Sequence, residues 1–217
     1  MEDGFVISDI FFHGNYIDIV LDSGDSNGFK VSKKCLKYSD SIRNLIGIHI
    51  FDQLAIDSIL KSFIFNRCVC MELSIIFLNL ASIYRGVQIF EYISDEYYLP
   101  YVVVSANGYN VICNDYCYIN DFFEFLDNCS WNVDISDINL VSSKYNLCIL
   151  DDIEYIDIRD FFTITDVLDR IDLFECLMIC GGDIVFDLAV SLGIKYVLLD
   201  RNSNINRFFD IIKYLDV

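Results

Sequence analysis

The feature that most constrains the fold is a repetition within the chain. The stretch NGFKVSKKCLKYSDSIRNLI (residues 27–46) is matched 80 residues later by NGYNVICNDYCYINDFFEFL (residues 107–126), which keeps the Asn-Gly pair, one Val and one Tyr in register. An offset of 108 aligns residues 48–82 with residues 156–190 without a gap and gives nine identities in 35 positions. A composition of this kind would give roughly three by chance. The two offsets together predict an internal duplication.

Both copies carry apolar residues at helical spacing. Positions i, i+3, i+4 and i+7 are apolar in each copy, which predicts an amphipathic helix. The residues concerned are Ile56, Ile59, Leu60 and Phe63 in the first copy and Ile164, Val167, Leu168 and Ile171 in the second. A second helical stripe is predicted at residues 76–84 and again at residues 184–192. Ahead of these helices, YIDIVLD and YVVVSA each lead to an Asn-Gly pair, which is the pattern of a β-hairpin.

The repeat divides the chain into two modules. A chain of 217 residues, 54% of them hydrophobic, is long enough to fold as two small domains. We assign the first module to residues 1–98 and the second to residues 99–217. Because the two offsets differ by 28, we expect an insertion in the second module at about residues 127–155, which contains the single Trp and two predicted short strands.

Charge and cysteine usage restrict the classes of partner and the compartment. The net charge of −18 makes binding to nucleic acid or to an anionic membrane surface unfavourable. The longest apolar stretch, LMICGGDIVFDLAVSLGI, contains two Asp residues, and the N-terminus has no basic region before its apolar residues. The nine cysteines are odd in number and form no CxxC pair. We therefore expect a soluble protein without disulfides in the cytoplasm, with the nucleus as a second option.

No motif predicts catalysis, a cofactor or a metal site. The cysteines fall among Phe, Leu and Ile, where buried free thiols are a simpler interpretation than zinc ligands. The two histidines, His13 and His49, have no nucleophile partner that the sequence identifies. The many acidic residues lie at alternating or loop positions and are expected to keep the chain soluble. We assign no catalytic residue.

The first copy resembles the BTB/POZ family, whose relatives include the Skp1-type cullin adaptors. In that family a short helix precedes a strand that begins with Asp, and a spaced apolar motif follows. Asp18-Ile19-Val20-Leu21 matches the strand, and Phe29, Leu36, Ser39, Ile42 and Leu45 match the motif. The family's His falls on Ser32, which is a departure from the pattern. In the second copy, Ala189, Leu192, Gly193 and Ile194 resemble the late helix pair of the same fold.

This resemblance implies a fold and a function. The fold is a mixed α+β arrangement of tandem BTB/POZ-like modules, each a small hairpin-containing sheet capped by amphipathic helices. The single Pro and the abundant Ile, Asn and Tyr are typical of an AT-rich genome, such as that of a large DNA virus, and poxviruses carry BTB proteins. The implied function is a non-enzymatic adaptor that links a host target to a cullin-type ubiquitin ligase.

The resemblance also implies two interaction surfaces. BTB domains form two-fold dimers through their first elements, and we assign this role to Phe5, Ile7, Ile10, Phe11 and Phe12. The later helices of the fold dock the partner, and here they correspond to about residues 51–65 and 73–84. Within these ranges we assign docking to Phe51, Leu54 and Tyr84. We therefore expect a homodimer that binds protein partners, with a cullin scaffold and a host target as the implied pair.

Two alternatives remain open. The second half of the chain need not be a repeat: IKYVLLDRN is typical of a buried parallel strand, with Asp200 at its carboxyl end, as in an enzyme or small-molecule-binding α/β domain. The chain could also be a viral decoy that sequesters a host factor through its acidic surface without any ubiquitination. Binding of nucleotide or metal would favour the first alternative, and recovery of a host protein without a cullin would favour the second.

Overall fold

The computed structural model describes residues 4–150, 155–170, 176–178, 184–199 and 205–215. The chain divides into two compact units. Unit 1 comprises Met1–Tyr92 and Arg159–Ile171, and unit 2 comprises Ile93–Ile158 and Asp172–Val217. The second part of unit 1 therefore comes from within the stretch of chain that forms unit 2. The assignment of modules to residues 1–98 and 99–217 does not anticipate this insertion.

Unit 1 is a three-stranded antiparallel sheet followed by helices. The strands, in the order β1-β2-β3, are β1 (Ile7–His13), β2 (Tyr16–Leu21) and β3 (Ser26–Lys30). The helices are α1 (Ser39–Ile42), which lies between two 3-10 turns, then α2 (Gln53–Phe63), α3 (Arg67–Arg85) and α4 (Ile89–Ile93). Asp52 caps α2 by accepting from the N–H of Ala55 (3.0 Å), and Asn66 caps α3 by accepting from Val69 (3.2 Å). The strand alternation and the apolar stripes of α2 and α3 bury one continuous core in this unit.

Two expectations for the start of unit 1 are wrong. The short helix that the resemblance implies ahead of the Asp18 strand is the strand β1. The turn between β2 and β3 lies at residues 22–25, where Gly24 supplies a φ of +89°, and not at Asn27-Gly28. Gly28 lies inside β3, opposite Asp18, and a Cβ there would be 2.6 Å from the Asp18 Oδ1 atom. The close approach of the Asp18 side chain on β2 therefore explains this glycine, whereas a turn does not.

Unit 2 contains a mixed six-stranded sheet in the order β6-β5-β4-β9-β8-β7. The strands are β4 (Tyr101–Ala106), β5 (Tyr109–Cys113), β6 (Leu147–Leu150), β7 (Ile156–Asp157), β8 (Cys176–Met178) and β9 (Tyr196–Leu199). Strands β4, β5 and β6 are antiparallel neighbours, whereas β4, β9, β8 and β7 run parallel. The helices of the unit are α5 (Ile119–Asn128), α6 (Ile135–Tyr145), α8 (Ile184–Ser191) and α9 (Asn206–Tyr214). The near-continuous apolar runs of β4 and β9 are buried, as central strands of such a sheet require.

The hairpin predicted in the second copy is confirmed. Asn107 and Gly108 connect β4 to β5 as a two-residue turn, with φ values of +49° and +84°. Positive φ at both positions is the geometry that Asn-Gly favours in hairpins. The amide of Asn107 also donates to the carbonyl oxygen of Val133 (2.9 Å), which ties the turn to the chain that follows α5.

The shared order of helices that the duplication predicts is wrong. The counterpart of α3 contains the strand β8 and the shorter helix α8. The counterpart of α2 is only a five-residue helix, α7 (Ile164–Leu168), and it belongs to unit 1. A short apolar run such as residues 176–178 fits either a helix or a strand, and here parallel pairing with β9 decides for the strand.

The segment at residues 127–155 is an integral part of unit 2. It contributes α6 and the edge strand β6, which pairs with β5; residues 151–154 lie outside the described residues. IKYVLLDRN contains the buried parallel strand β9, as the first alternative predicted, while Asp200 lies outside the described residues. At the level of fold class, the chain is a mixed α+β protein, as expected.

In the described part of the chain, α3 is the one helix whose length and apolar composition would allow it to cross a membrane. Its apolar window is 61% buried inside the protein. Leu73, Phe77 and Leu80 of this helix belong to the core of unit 1. A core helix of this length meets the same criteria, so we treat α3 as part of that core.

Candidate functional site

The residues predicted to mediate pairing differ in accessibility. Ile7 and Ile10 are fully buried in the core of unit 1 and cannot contact a partner, so their assignment is wrong. Phe5 and Phe12 are half-buried and pack against the same core. Phe11 is 49% exposed and alternates with the buried Ile10 along β1. Strand alternation puts Ile10 and Phe11 on opposite faces. An irregularity in the pairing of β1 with β2 between Ile7 and Asp9 allows Ile7, three residues before Ile10, to share its buried face.

The structure brings together three residues from the two predicted surfaces. The ring of Phe5 lies 5.2 Å from that of Phe51 and 5.7 Å from that of Tyr84, measured between centroids. The guanidinium of Arg85 lies 4.3 Å above the centre of the Phe51 ring, which is cation–π geometry. The hydroxyl of Tyr84 accepts from the amide of Asn27 (2.8 Å). Phe5, Phe51 and Tyr84 thus form one half-buried aromatic cluster.

Helix α2 and the loop that follows it expose large apolar side chains. Leu54 is 71% exposed, Phe63 is 47% exposed and Phe65 is 83% exposed. On the buried face of α2, Ile56 and Leu60 pack in the core of unit 1. Leu54 lies in the first turn of α2, whereas Phe63 ends the helix and Phe65 follows it, so large apolar side chains are exposed at both ends of this element. Of the three predicted docking residues, Leu54 is therefore the one that is freely accessible.

Unit 1 also binds a segment of its own chain on α2 and α3. We call residues 161–168 the docked segment. At its centre, the backbone N–H of Ile164 donates to Ser74 Oγ (2.9 Å) and the N–H of Thr165 donates to Asp57 Oδ2 (3.1 Å). These are the first two N–H groups of α7, which have no partner inside their own helix. Side chains of α2 and α3 thus satisfy the N-terminus of a helix that comes from elsewhere in the chain.

The acceptors of this contact, Asp57 and Ser74, form a polar group with Gln53, which we call the clasp. Asp57 Oδ1 accepts from Ser74 Oγ (2.7 Å) and from Gln53 Nε2 (2.9 Å). Asp57 and Ser74 are fully buried. Burial raises the pKa of Asp57 above its ordinary value, while hydrogen bonds from Ser74, Thr165 and Gln53 oppose that shift. Among the described side chains, Gln53 Oε1 is the buried polar atom without a hydrogen-bond partner.

Charged side chains surround the clasp. Lys61 on α2 forms an ion pair with Asp166 of the docked segment (2.7 Å), and this hydrogen bond raises the pKa of Lys61. Burial alone would raise the pKa of Asp166, but hydrogen bonds from Lys61 and Thr163 lower it. The guanidinium of Arg67 lies 5.1 Å from the centre of the Phe162 ring. A cavity of about 480 Å³ opens beside these residues and is lined by both cations and acids.

A basic segment interrupts the acidic surface. Unit 1 carries ten Lys and Arg against 14 Asp and Glu, whereas unit 2 carries five against 19. Residues 30–43 hold five exposed cations and a single acid: Lys30, Lys33, Lys34, Lys37 and Arg43, with Asp40. Among the described residues, no ion pair involves any of these five cations. The positive charge of this segment is therefore available to a partner.

The described cysteines are free thiols, and the buried ones stay protonated. Burial, together with Glu72, raises the pKa of Cys35 to about 12. Burial, together with nearby acids, raises the pKa of Cys70 to about 12 as well. Such thiols are poor nucleophiles and poor metal ligands at neutral pH. In the described ranges, no three His, Cys, Asp or Glu side chains are grouped so that they could hold a metal ion.

Unit 2 contains a buried ion pair. Asp187 on α8 is almost fully buried and binds Arg207 on α9 in bidentate fashion, through Nε (2.9 Å) and through an Nη atom. This pair connects two helices, and its geometry is that of a structural contact. The small-molecule-binding alternative predicts a site at the carboxyl ends of strands β8 and β9. These strands end just before residues 179–183 and 200–204, which lie outside the described residues.

No protein-family model matches this chain, and no curated protein is significantly similar to it. The function is accordingly inferred from the geometry of the described residues.

The sequence analysis did not identify the clasp. Its signal was present, because Asp57 lies on the same helical face as Leu60 and Ile64, three and seven residues later. An acidic residue within an apolar stripe must either be paired or be destabilising. Its partner, Thr165, is 108 residues away, at the same offset as the apparent repeat, and no local pattern connects the two.

Proposed function

We propose that the chain is a non-enzymatic protein-interaction adaptor and that unit 1 carries its docking surfaces. The observation that carries this proposal is the exposure of Leu54, Phe63 and Phe65 along α2 and the loop after it. An adaptor needs a second surface, and the basic segment at residues 30–43 suits an acidic protein partner. The half-buried aromatic cluster of Phe5, Phe51 and Tyr84 connects residues from both predicted surfaces within unit 1.

The BTB/POZ resemblance specifies which partners the adaptor would bind. In that form a cullin scaffold binds the α2 surface, a host target binds elsewhere on the chain, and both meet in the host cytoplasm during infection. The support is the match of residues 18–45 to the BTB motif and the accessibility of Leu54. Purified chain and a purified cullin N-terminal domain, mixed in a calorimeter, test this form directly.

Comparative affinity capture tests the broader proposal. Leu54→Asp places a charge at the most exposed apolar position of α2, in its first turn, while Leu140→Asp is a matched control because Leu140 on α6 is 81% exposed in unit 2. Surface substitutions of this kind change stability by no more than about 0.5 kcal/mol, so both variants should stay folded. We expect the Leu54→Asp variant to lose a set of proteins that the wild type and Leu140→Asp both retain. Equal recovery by all three proteins would refute docking through α2.

Self-association through β1 is a separate part of the proposal. Phe11 is the exposed large apolar residue of that strand, so Phe11→Arg should convert a dimer into a folded monomer. Phe12 packs partly against the core, which makes the combined Phe11→Arg and Phe12→Arg variant the more disruptive test. Phe65→Arg is a suitable control, because Phe65 is more exposed and lies outside the sheet. A wild type that is monomeric by light scattering at tens of micromolar would contradict this part.

The alternatives have their own tests. A decoy would recover a host protein in the capture experiment without any cullin. Small-molecule binding by unit 2 has one observation in its favour, the parallel pairing of β4, β9, β8 and β7, since ligands of such sheets bind at the carboxyl ends of the strands. A thermal-shift screen with nucleotides and divalent metals tests it, and stabilisation that saturates with ligand would favour this function over docking.

A further inference from the structure

The contact between the clasp and the docked segment has the features of peptide recognition. Two buried acceptors, on Asp57 and Ser74, receive successive backbone N–H groups of the incoming chain. Backbone contacts of this kind provide binding without demanding particular side chains, and neighbouring contacts then supply the selectivity. The site therefore binds the N-terminus of a short helix, and its contacts with the surrounding side chains determine which helices fit.

The side chains of residues 162–166 of the docked segment are buried in unit 1, packed against its core or paired with its charges. Ile164 is buried, and the ring of Phe162 packs against the core of unit 1 and faces Arg67. Thr163 is fully buried, and its backbone N–H donates to Asp166 Oδ2 (3.2 Å). Asp166 in turn meets Lys61 of unit 1. Thr165 is buried as well; its hydroxyl lies 3.1 Å from that of Thr163, and a hydrogen bond from its side chain opposes the rise in the pKa of Asp57. The recognised pattern is thus an aromatic residue, Thr, an aliphatic residue, Thr and an acid.

The internal segment does not use every group that the clasp offers. Gln53 Oε1 is buried and accepts no hydrogen bond in the described part of the chain. The segment also leaves a cavity of about 480 Å³ open beside Lys61 and Arg67. Gln53 does not line this cavity, so the unpaired acceptor and the open volume are separate features of the site. A ligand that donates a hydrogen bond to Gln53 Oε1 would satisfy a buried group that the internal segment leaves unpaired.

We propose that the clasp is a docking site for a partner protein that carries the pattern aromatic-Thr-aliphatic-Thr-acid, and that residues 161–168 occupy it as an internal competitor. This inference rests on the proposed interaction function of unit 1 and specifies one kind of partner for it. A tethered segment competes at an effective concentration on the order of millimolar. An external segment thus gains access when the internal one is weakened or when the external one also satisfies Gln53.

A labelled peptide with the sequence RDFFTITDVLDR, residues 159–170, provides the test with purified full-length chain. Asp166→Lys in the protein removes the ion pair with Lys61 from the internal segment only. We expect this variant to bind the wild-type peptide at least about tenfold more tightly than the wild-type protein does, measured by fluorescence anisotropy, because the tethered competitor is weakened. Asp166→Asn, a milder change, should give an effect of the same sign and also serves if the Lys variant fails to fold.

Charge exchange supplies the matched control. A peptide in which the acid corresponding to Asp166 is replaced by Lys should bind poorly to the Asp166→Lys protein, because its Lys faces Lys61. The same peptide should bind to the Lys61→Asp single variant, in which the internal Asp166 is repelled and the Lys of the peptide can pair with the new acid. Folded variants that bind no peptide, or that bind both peptides equally, would overturn the proposal. Binding only to a dimeric species would also overturn it and would assign the site to a second copy of this chain. These outcomes are independent of the capture experiment with Leu54→Asp, so the two proposals can fail separately.

Discussion

Substitution of Asp57 by Asn tests the clasp with almost no change in volume. In the wild type, Oδ1 accepts from Gln53 and Ser74, and Oδ2 accepts from the N–H of Thr165. An Asn side chain has one acceptor and one NH2 group. Whichever way the amide is placed, its NH2 group faces at least one of these donors, so one buried donor loses its acceptor.

The magnitude follows from the cost of that lost hydrogen bond. A buried group left without its partner costs about 1–3 kcal/mol, and we take about 2 kcal/mol for Asp57→Asn. For a chain of this size each kcal/mol lowers Tm by roughly 2–4 °C, so Tm should fall by roughly 4–8 °C. If the loss is confined to release of the docked segment, the amides of Ile164 and Thr165 should exchange with solvent about 30-fold faster, since 1.4 kcal/mol corresponds to a factor of ten.

Hydrogen exchange measured by mass spectrometry on the peptide that spans residues 161–168 distinguishes a general loss of stability from release of the docked segment alone. Asp169→Asn is the matched control, because Asp169 follows the docked segment and is exposed, and it should change stability by no more than about 0.5 kcal/mol. If Asp57→Asn leaves both Tm and the exchange of residues 161–168 unchanged, the clasp does not hold the segment and the reasoning is wrong.

Three further results are expected. Burial raises the pKa of Asp57, so the carboxyl contributes most to stability below about pH 4. That contribution is lost as the pH rises through the raised pKa, so the stability difference between wild type and Asp57→Asn should narrow from pH 4 to pH 7 in urea titrations. Leu60→Asp puts a charge into the core of unit 1 and should cost at least about 3 kcal/mol, whereas Leu168→Asp, at a half-buried position, should cost about 1 kcal/mol; equal melting of wild type and Leu60→Asp would contradict the assignment of α2. Arg207→Met removes the bidentate partner of Asp187 and should lower the free energy of unfolding of unit 2 by about 3 kcal/mol, checked by calorimetry; an unchanged unfolding transition would show that the pair is not structural.

Local patterns predicted local structure well where one physical signal dominated. The stripe of α2 predicted the burial of Ile56 and Leu60, because helix periodicity fixes which side chains share a face, whereas Phe63 at the end of the predicted stripe is 47% exposed. Asn107-Gly108 predicted a hairpin, because the turn requires positive φ at both positions. The same dipeptide at residues 27–28 failed, because a close approach to Asp18 also selects glycine and the sequence does not distinguish the two causes.

Long-range organisation could not be predicted from the same patterns. The short run at residues 176–178 has no period that separates a helix from a strand, and its strand character depends on β9, which lies about 20 residues later. The docking of residues 159–170 into unit 1 depends on Asp57, which is more than 100 residues away in the chain. The joint burial of Ile7 and Ile10 could not be foreseen from strand alternation, which puts residues three apart on opposite faces, because it depends on the irregular pairing of β1 near Ile7. The contact of Phe5 with Phe51 likewise required the fold.

The most direct test of the central claim, that unit 1 is a protein-interaction module, is site-specific photo-crosslinking in cells. A photoreactive residue at position 54 reports on the exposed surface of α2, and the same residue at position 140 reports on an equally exposed position of unit 2. We predict a discrete crosslinked protein at position 54 that is absent at position 140. No adduct at position 54, or the same adducts at both positions, would contradict the account.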